Sequence, residues 1–465
     1  MKSIKSAISA IRIMTQPGVL KHLRAIERWQ WLSPENSRNV QEKQLRKLIQ
    51  YAYKNVPYYR EVLAGAKIAD ASGNIDTERF AEIPFLDKGI IRNRFDELAT
   101  DELNKRTWYV NTSGGSTGEP LKLLQDKEYD NWNRAIKLLH NQWTGYTLGS
   151  GEARLWGSRN DMLIGRETTW THFSRWMKQE VWLNAFRMKP EEMRAYVRRL
   201  NTVKPTQILA FAESIYDLAR LIEREGLLTH KPRSIVSSSG TLFPHMRETV
   251  ERVFQAPVFD RYGSRELGNV ACECAAHNGL HVSAPTHYVE VMRDDQTPAA
   301  KGEVGEIVVT VLNNYAMPLI RYRVGDMGKW AEASCACGRS WPLLKEVTGR
   351  VTDRFLKKDG TMIWGTFFTT LFWHNDWAEK VQVIQDDYDH LRVLMVRSAA
   401  NCSSEDIERG LSVIATKIYD TMGRECRVDF DFVDEIAQTE SGKFRHAVSR
   451  LLEKRGEGVD HVRSN

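Results

Sequence analysis

Ile208-Leu209-Ala210-Phe211, Ser234-Ile235-Val236-Ser237-Ser238 and Pro257-Val258-Phe259-Asp260-Arg261-Tyr262 are three short apolar runs in close succession. Between them the apolar residues fall at helical spacing, first from Ser214 to Glu225 and then from Pro244 to Phe254. Runs of this length bounded by turn residues read as buried strands. The helix after each reads as a crossover, which is what a parallel neighbour requires. The fold class is therefore α/β, and ligands of such a sheet sit at the carboxyl ends of its strands. Three loops hold that position: Phe211-Ala212-Glu213-Ser214, Ser239-Gly240-Thr241 and Tyr262-Gly263-Ser264-Arg265-Glu266. Phe211, Ala212, Tyr262 and Gly263 are the candidate lining of a substrate pocket.

Towards the N-terminus, helices are expected over 189–204 and 127–142. The stretch between them is rich in tryptophan (Trp143, Trp156, Trp170, Trp176, Trp182), which suits an acyl pocket or ordinary core packing. Before it stands Thr112-Ser113-Gly114-Gly115-Ser116-Thr117-Gly118-Glu119-Pro120, three glycines and four hydroxyl residues in nine positions. Glycines let the backbone turn its N–H groups into one hollow, and hydroxyls add neutral donors, a chemistry that suits a polyphosphate. No Gly-Lys-Ser/Thr follows, so this is not a P-loop, and the plainer reading is a hairpin turn. Trp108-Tyr109-Val110 reads as the end of a buried strand and Leu121-Lys122-Leu123-Leu124 as the next one. Residues 41–65 are helical with a break forced at Pro57. Ile4, Ile8 and Ile11 with Lys2, Lys5 and Arg12 make an amphipathic start, which suits an anionic membrane surface but is expected to pack on the body.

Towards the C-terminus the pattern changes. Short strands joined by turns over 281–333 indicate a small antiparallel or barrel-like part. Residues 345–356 read as a hinge strand. The remainder alternates strand and helix as a smaller mobile α+β domain. The expected domains are 1–350 and 351–465.

Composition excludes several classes. With 66 basic and 60 acidic residues the net charge is +6, without a basic block of the kind that tracks nucleic acid. No apolar run of about 18 residues spans a membrane. No signal-peptide pattern is visible. Six cysteines in 465 residues make no disulfide framework, so the cytoplasm is the expected compartment.

Four further stretches line up with the glycine-rich one: Tyr262–Glu266, Tyr322-Arg323-Val324-Gly325-Asp326, Gly349-Arg350 and Ser441-Gly442-Lys443-Phe444-Arg445. In this order they resemble the adenylate-forming superfamily, which includes acyl-coenzyme A synthetases, peptide-synthetase adenylation domains and luciferases. The segment Leu45-Arg46-Lys47-Leu48-Ile49-Gln50-Tyr51-Ala52-Tyr53-Lys54-Asn55-Val56-Pro57-Tyr58-Tyr59 resembles the phenylacetate–coenzyme A ligase branch. The stretch from Lys358-Asp359-Gly360 to Thr370-Leu371-Phe372 is more similar to CapK-like proteins of capsular polysaccharide gene clusters.

The resemblance implies roles. Thr112 and the loop of Ser113, Gly114, Gly115, Ser116, Thr117 and Gly118 would hold the β- and γ-phosphates of ATP. Ser239, Gly240, Thr241, Tyr262 and Gly263 would flank the adenine. Glu266 would bind Mg²⁺, Asp326 the ribose hydroxyls, and Arg350 ribose or phosphate. Lys443 would reach the α-phosphate and the attacking carboxylate, neutralising the repulsion between two anions. The chain departs from the family at the hinge, where Val351, Thr352 and Asp353 follow Gly349-Arg350. It departs again at Lys357-Lys358-Asp359-Gly360, a plain hairpin turn where coenzyme A ligases carry a pantetheine-guiding loop. The expected reaction makes an acyl-adenylate from a carboxylic acid and ATP. The acceptor is an amine, a hydroxyl or the thiol of coenzyme A, in surface polysaccharide or secondary metabolite synthesis. A phenylacetate-type coenzyme A ligase is one alternative, and a scaffold that has lost the chemistry is another.

Cys272-Glu273-Cys274-Ala275-Ala276-His277 and Cys335-Ala336-Cys337-Gly338 form two short clusters of zinc-type ligands. The favoured set is Cys274, His277, Cys335 and Cys337, with Cys272 and His281 as alternates. A similar pair of clusters in the resembling branch implies a structural Zn²⁺ clasp. Cys402 and Cys426 carry no motif and are expected in the core.

Overall fold

The computed structural model describes residues 16–69, 75–112, 121–147, 149–157, 180–185, 188–350, 354–372, 375, 377–398, 403–436 and 445–451. The chain divides into two compact units. The first comprises Met1–Val324, Gly328–Val347 and Glu440–Gly442; the second comprises Gly325–Met327, Thr348–Thr439 and Lys443–Asn465.

Among the described residues, the first unit begins with helices α1 (Pro17–Trp29), α2 (Pro34–Asn55), α3 (Pro57–Gly65), α4 (Lys88–Asn93) and α5 (Phe95–Leu98). The break at Pro57 is where the sequence puts it: Val56 is extended (φ −125°, ψ 114°), as a residue before proline must be, and Pro57 opens the next helix. Helix α1 packs on the body, burying Val19, His22, Ile26 and Trp29, with the His22 ring stacked on Trp132 at 3.9 Å. Ile4, Ile8 and Ile11 lie outside the described residues.

Strands β1 (Trp108–Thr112) and β2 (Lys122–Asp126) form a separate antiparallel pair, followed by α6 (Lys127–Trp143), capped by the Asp126 carboxylate on the Tyr129 N–H. Trp108, Tyr109 and Val110 are 41%, 43% and 53% exposed, so this is not a buried strand end. The pair is a two-stranded sheet of its own, and no third strand among the described residues covers it.

The main sheet starts with β3 (Glu152–Trp156), β4 (Glu180–Asn184), β5 (Gln207–Phe211), β6 (Ser234–Ser238) and β7 (Val258–Ser264). All neighbours in the order β4-β3-β5-β6-β7 pair parallel. Helices α7 (Pro190–Val203), α8 (Ala212–Arg224) and α9 (Pro244–Phe254) make the connections from β4 to β5, β5 to β6 and β6 to β7. Proline at the first turn starts α7 and α9. Helix α8 buries Ile215, Leu218, Ala219 and Ile222 on one face, which fits it to the sheet.

The short strands β8 (Gly268–Glu273), β9 (Leu280–Val282), β10 (His287–Met292), β11 (Val304–Val311), β12 (Tyr322–Trp330) and β13 (Leu343–Arg350) do not form a detached barrel. They extend the same sheet, in the order β7-β8-β9-β13-β12-β11-β10. The switch occurs at β7, which pairs antiparallel with β8 through a tight turn, so no crossover helix is needed beyond it.

The second unit holds the hairpin β14 (Arg354–Leu356) and β15 (Met362–Trp364), helix α10 (Gly365–Thr370), and a four-stranded sheet with a helix. The sheet is ordered β18-β17-β16-β19 from β16 (Ala378–Asp387), β17 (His390–Arg397), β18 (Arg427–Phe432) and β19 (Ala447–Ser449), and the helix is α11 (Ser404–Met422). Its core centres on Phe355, Phe368, Val393, Met395 and Ile418, and includes Cys426; Cys402 lies outside the described residues.

Candidate functional site

The three expected loops all follow parallel strands. Phe211 ends β5, is buried, and meets Trp156 with ring centroids 4.3 Å apart; Ala212 behind it is fully buried. Trp143 instead joins a core around Trp341 and Gln30, far from pocket duty, while Arg154 lies over the Trp182 ring at 5.1 Å. Trp170 and Trp176 lie outside the described residues. After β6, Ser239 takes a left-handed backbone (φ 65°), a conformation that costs a non-glycine residue energy and turns the chain sharply into Gly240-Thr241. Next to it the Ser238 hydroxyl donates to the Arg261 carbonyl at 2.9 Å, tying the ends of β6 and β7.

At the end of β7, Tyr262 and Gly263 straddle a bulge in the pairing with β8. A Cβ on Gly263 would stand 2.2 Å from the Gly268 carbonyl oxygen, so only glycine fits there. The turn that follows is held on two sides. The Ser264 hydroxyl accepts the Leu267 N–H at 3.2 Å, and the Gln125 carboxamide donates to the carbonyls of Arg265 and Glu266 at 3.2 and 3.3 Å. Glu266 is half-buried. Its oxygens are the hard donors that Mg²⁺ prefers.

Thr112 ends β1 opposite Lys122; Ser113, Gly114, Gly115, Ser116, Thr117 and Gly118 lie outside the described residues, as does Lys443. Asp326 is half-buried on β12, after Gly325, whose backbone is left-handed within the strand (φ 84°). Arg350 is the last residue of β13.

The cysteine clusters converge, with one change of ligand. Cys274, His281, Cys335 and Cys337 each offer one ligand atom, and the four lie within 4.8 Å of one another. Cys274 Sγ and Cys335 Sγ are 3.7 Å apart, and Cys337 Sγ is 3.3 Å from His281 Nε2. A tetrahedron with Zn–S bonds of about 2.3 Å has an S–S edge of about 3.8 Å, so the donor set fits that ion. His277 is not part of it. Its ring Nδ1 sits 3.2 Å from Glu273 Oε2 and 3.3 Å from Arg247 Nη1, and the ring leans on Phe259. The cause is register: β9 pairs with β8 and β13, which carries His281 into the cluster, while His277 turns away on a left-handed corner (φ 50°). Cys272 is also excluded, fully buried beside Trp143 and Ile136, where burial pushes its thiol well up. Burial raises Cys274 to about 12. Burial also opposes ionisation of Cys337, but the Arg339 backbone N–H and the neighbouring thiols draw it below the ordinary value. Burial, with Arg339 nearby, lowers His281 to about 4 and keeps it neutral.

One position was silent in the sequence: Gln125, since a lone glutamine carries no motif. His281 was legible only as an alternate ligand, since its spacing from Cys274 is longer than the usual pair.

Residues 355–450 match the family described as the CapK C-terminal domain. Protein CapK of Staphylococcus aureus is 24% identical over 423 residues, covering 89% of each chain. The phenylacetate-coenzyme A ligase of Thermus thermophilus is 26% identical over 342 residues, 70% of this chain and 73% of that one. Among solved structures, 2-hydroxyisobutyryl-CoA ligase, crystallised in the postadenylation state with an acyl-AMP, superposes with a TM-score of 0.73 at 18% identity. That match covers 93% of this chain and 94% of the other. No helix among the described residues is long and apolar enough to cross a membrane. The chain is thus a homologue of CapK and of the phenylacetate-coenzyme A ligases, built on the fold of the adenylate-forming ligases.

Proposed function

We propose that the chain is an AMP-forming ligase, which joins a carboxylic acid to the AMP portion of ATP, releases pyrophosphate, and passes the acyl group to a nucleophilic acceptor. The observation that carries this reading is the Glu266 turn. It presents a carboxylate at the carboxyl end of a parallel strand and is hydrogen-bonded to the hairpin whose two strands flank the Ser113–Pro120 sequence. Mg²⁺ held by Glu266 would neutralise phosphate charge. The hydroxyls and N–H groups of Ser113–Gly118 hold the β- and γ-phosphates. Ser239, Gly240, Thr241 and Tyr262 flank the adenine, and the Asp326 carboxylate accepts from two ribose hydroxyls. Phe211 and Ala212 border the acid. Arg350 contacts ribose or phosphate, and Lys443 brings positive charge to the α-phosphate as the carboxylate attacks. In this reading the chain has a large domain, 1–350, and a small mobile one, 351–465, that carries Lys443.

An amine or hydroxyl acceptor is favoured by the turn Lys357–Gly360. It closes the β14–β15 hairpin with Lys357 N donating to Thr361 O and Gly360 N to Lys357 O, and leaves no extended loop to guide a pantetheine. Coenzyme A is the second reading, favoured by similarity to ligases named for it. Zn²⁺ at Cys274, His281, Cys335 and Cys337 is structural in this reading, and a reducing cytoplasm suits three clustered thiols. The test is ATP–pyrophosphate exchange over a panel of carboxylic acids, followed by product analysis with coenzyme A, amines and sugars. Exchange with at least one acid is expected. No exchange with any acid, together with no ATP binding, would leave a non-catalytic scaffold.

A further inference from the structure

Gln125 lies on β2 and is only 1% exposed, yet it is ringed by polar groups. Its Oε1 accepts from the Tyr109 hydroxyl at 3.1 Å and from Asn111 Nδ2 at 2.9 Å. Its Nε2 donates to the Arg265 and Glu266 carbonyls at 3.2 and 3.3 Å. Asn111 Nδ2 also donates to the Arg265 carbonyl, at 3.1 Å. Carbonyl oxygens can only accept, so they fix which end of the carboxamide faces the turn. A carboxamide has two N–H donors and two oxygen lone pairs, and here all four are used. Tyr109 stands directly across the pair from Gln125, and Asn111 follows on the same face two residues on, so one face of the hairpin carries the whole set. A buried amide with every valence used has one low-energy position, and leaving any partner unmet is costly.

We infer that Gln125 is the positioning residue that sets the Glu266 carboxylate against the phosphate-binding hairpin. This rests on the assignment of Glu266 to Mg²⁺ and of residues 113–118 to phosphate. A metal that bridges a carboxylate and a phosphate needs both at one spacing. Gln125 touches both supports, the partner strand through Tyr109 and Asn111 and the Glu266 turn through two carbonyls, and Asn111 adds one further bond to that turn. Gln125 does not touch nucleotide or metal; it acts through the backbone of residues 265 and 266.

The experiment is calorimetry of an ATP analogue with a methylene group between the α- and β-phosphorus, with Mg²⁺ and with EDTA, on the full chain and on Gln125→Leu. In the unaltered chain Mg²⁺ tightens binding. In Gln125→Leu that gain falls about tenfold, the order expected from losing one or two buried hydrogen bonds. A merely structural role would lower thermal stability and the bound fraction but leave the ratio between the two conditions unchanged. An undiminished Mg²⁺ gain in Gln125→Leu would overturn the inference while leaving the role of Glu266 standing. No Mg²⁺ gain in the unaltered chain would overturn both. Should Gln125→Leu lose its cooperative melt, Asn111→Ala removes one donor to the same turn from the outer strand. It shifts the same ratio in the same direction by less, and an unshifted ratio there counts against the inference.

Discussion

His287 is 3% exposed, and its Nε2–H donates to the Leu267 carbonyl at 2.8 Å. Burial pushes its pKa from 6.5 down to about 4. In the unfolded chain the same imidazole takes a proton near pH 6.5, so between those values the unfolded state binds more protons. Stability is then full above pH 6.5, falls as pH drops towards 4, and changes no further through this group below that. The loss approaches about 3 kcal/mol. Denaturant melts from pH 7 to 4.5 should show the slope, and His287→Gln should flatten it; an equal slope in the variant would show that His287 is not its source. Lys443→Ala should lower pyrophosphate exchange roughly 10²–10³-fold, the usual cost of one charge-stabilising group, with ATP binding nearly intact. Near-normal exchange would remove Lys443 from the chemistry. At this scale the sequence is legible where a residue type is itself the chemistry, as with the four zinc-type side chains. It misleads where geometry chooses between equals. His277 and His281 are equivalent on paper, and the pairing of β9 with β8 and β13 selects the second.

Element boundaries were legible wherever proline or a strand-end turn punctuates the chain. Helix α9 runs from Pro244 to Phe254 and β6 from Ser234 to Ser238, as the residues themselves indicate. What could not be read is whether a run of short strands closes on itself or continues a sheet already begun. That depends on long-range pairing, and alternation along one strand carries no information about its neighbour. The same limit explains Trp108 and Val110: apolar residues at a strand-like spacing, with nothing to say that no other strand covers them. The β7–β8 turn is the element on which the proposed site depends, and Gly263 makes a tight contact in it. Gly263→Ala would drive a Cβ into the Gly268 carbonyl at 2.2 Å, and backbone cannot yield as a side-chain tip can. Overpacking of this kind costs about 1–3 kcal/mol. A fall in the urea midpoint of that size is expected, together with weaker Mg²⁺-dependent binding, because Glu266 is three residues on. An unchanged midpoint would mean that the bulge is softer than its contacts imply.

Across the whole molecule, the two units differ in what stabilises them. Among the described residues, the second has one core, from Phe355 to Ala447. In the first, the cluster of Cys274, Cys335 and Leu343 is a small satellite beside the main cores. It joins two turns whose cysteines are 61 residues apart in sequence, both within the first unit. Few apolar side chains hold these turns, so a metal cross-link there would add stability that packing does not supply, and would do so without an open position for water. The expected outcome is one Zn²⁺ per purified chain. His281→Ala should lose it; His277→Ala, whose ring serves Glu273 and Arg247 instead, should keep it. Chelation should lower the melting temperature, and exchange activity should fall only as the folded fraction falls. The candidate ligands also sit close in sequence to the residues proposed for the chemistry, Cys274 shortly after Glu266 and Cys335 shortly after Asp326. A direct catalytic role would therefore appear as lost exchange at a temperature where the chelated protein is still folded. Full activity and unchanged melting in a metal-free chain would remove the clasp altogether, and lost activity with unchanged melting would make the metal part of the reaction rather than part of the fold.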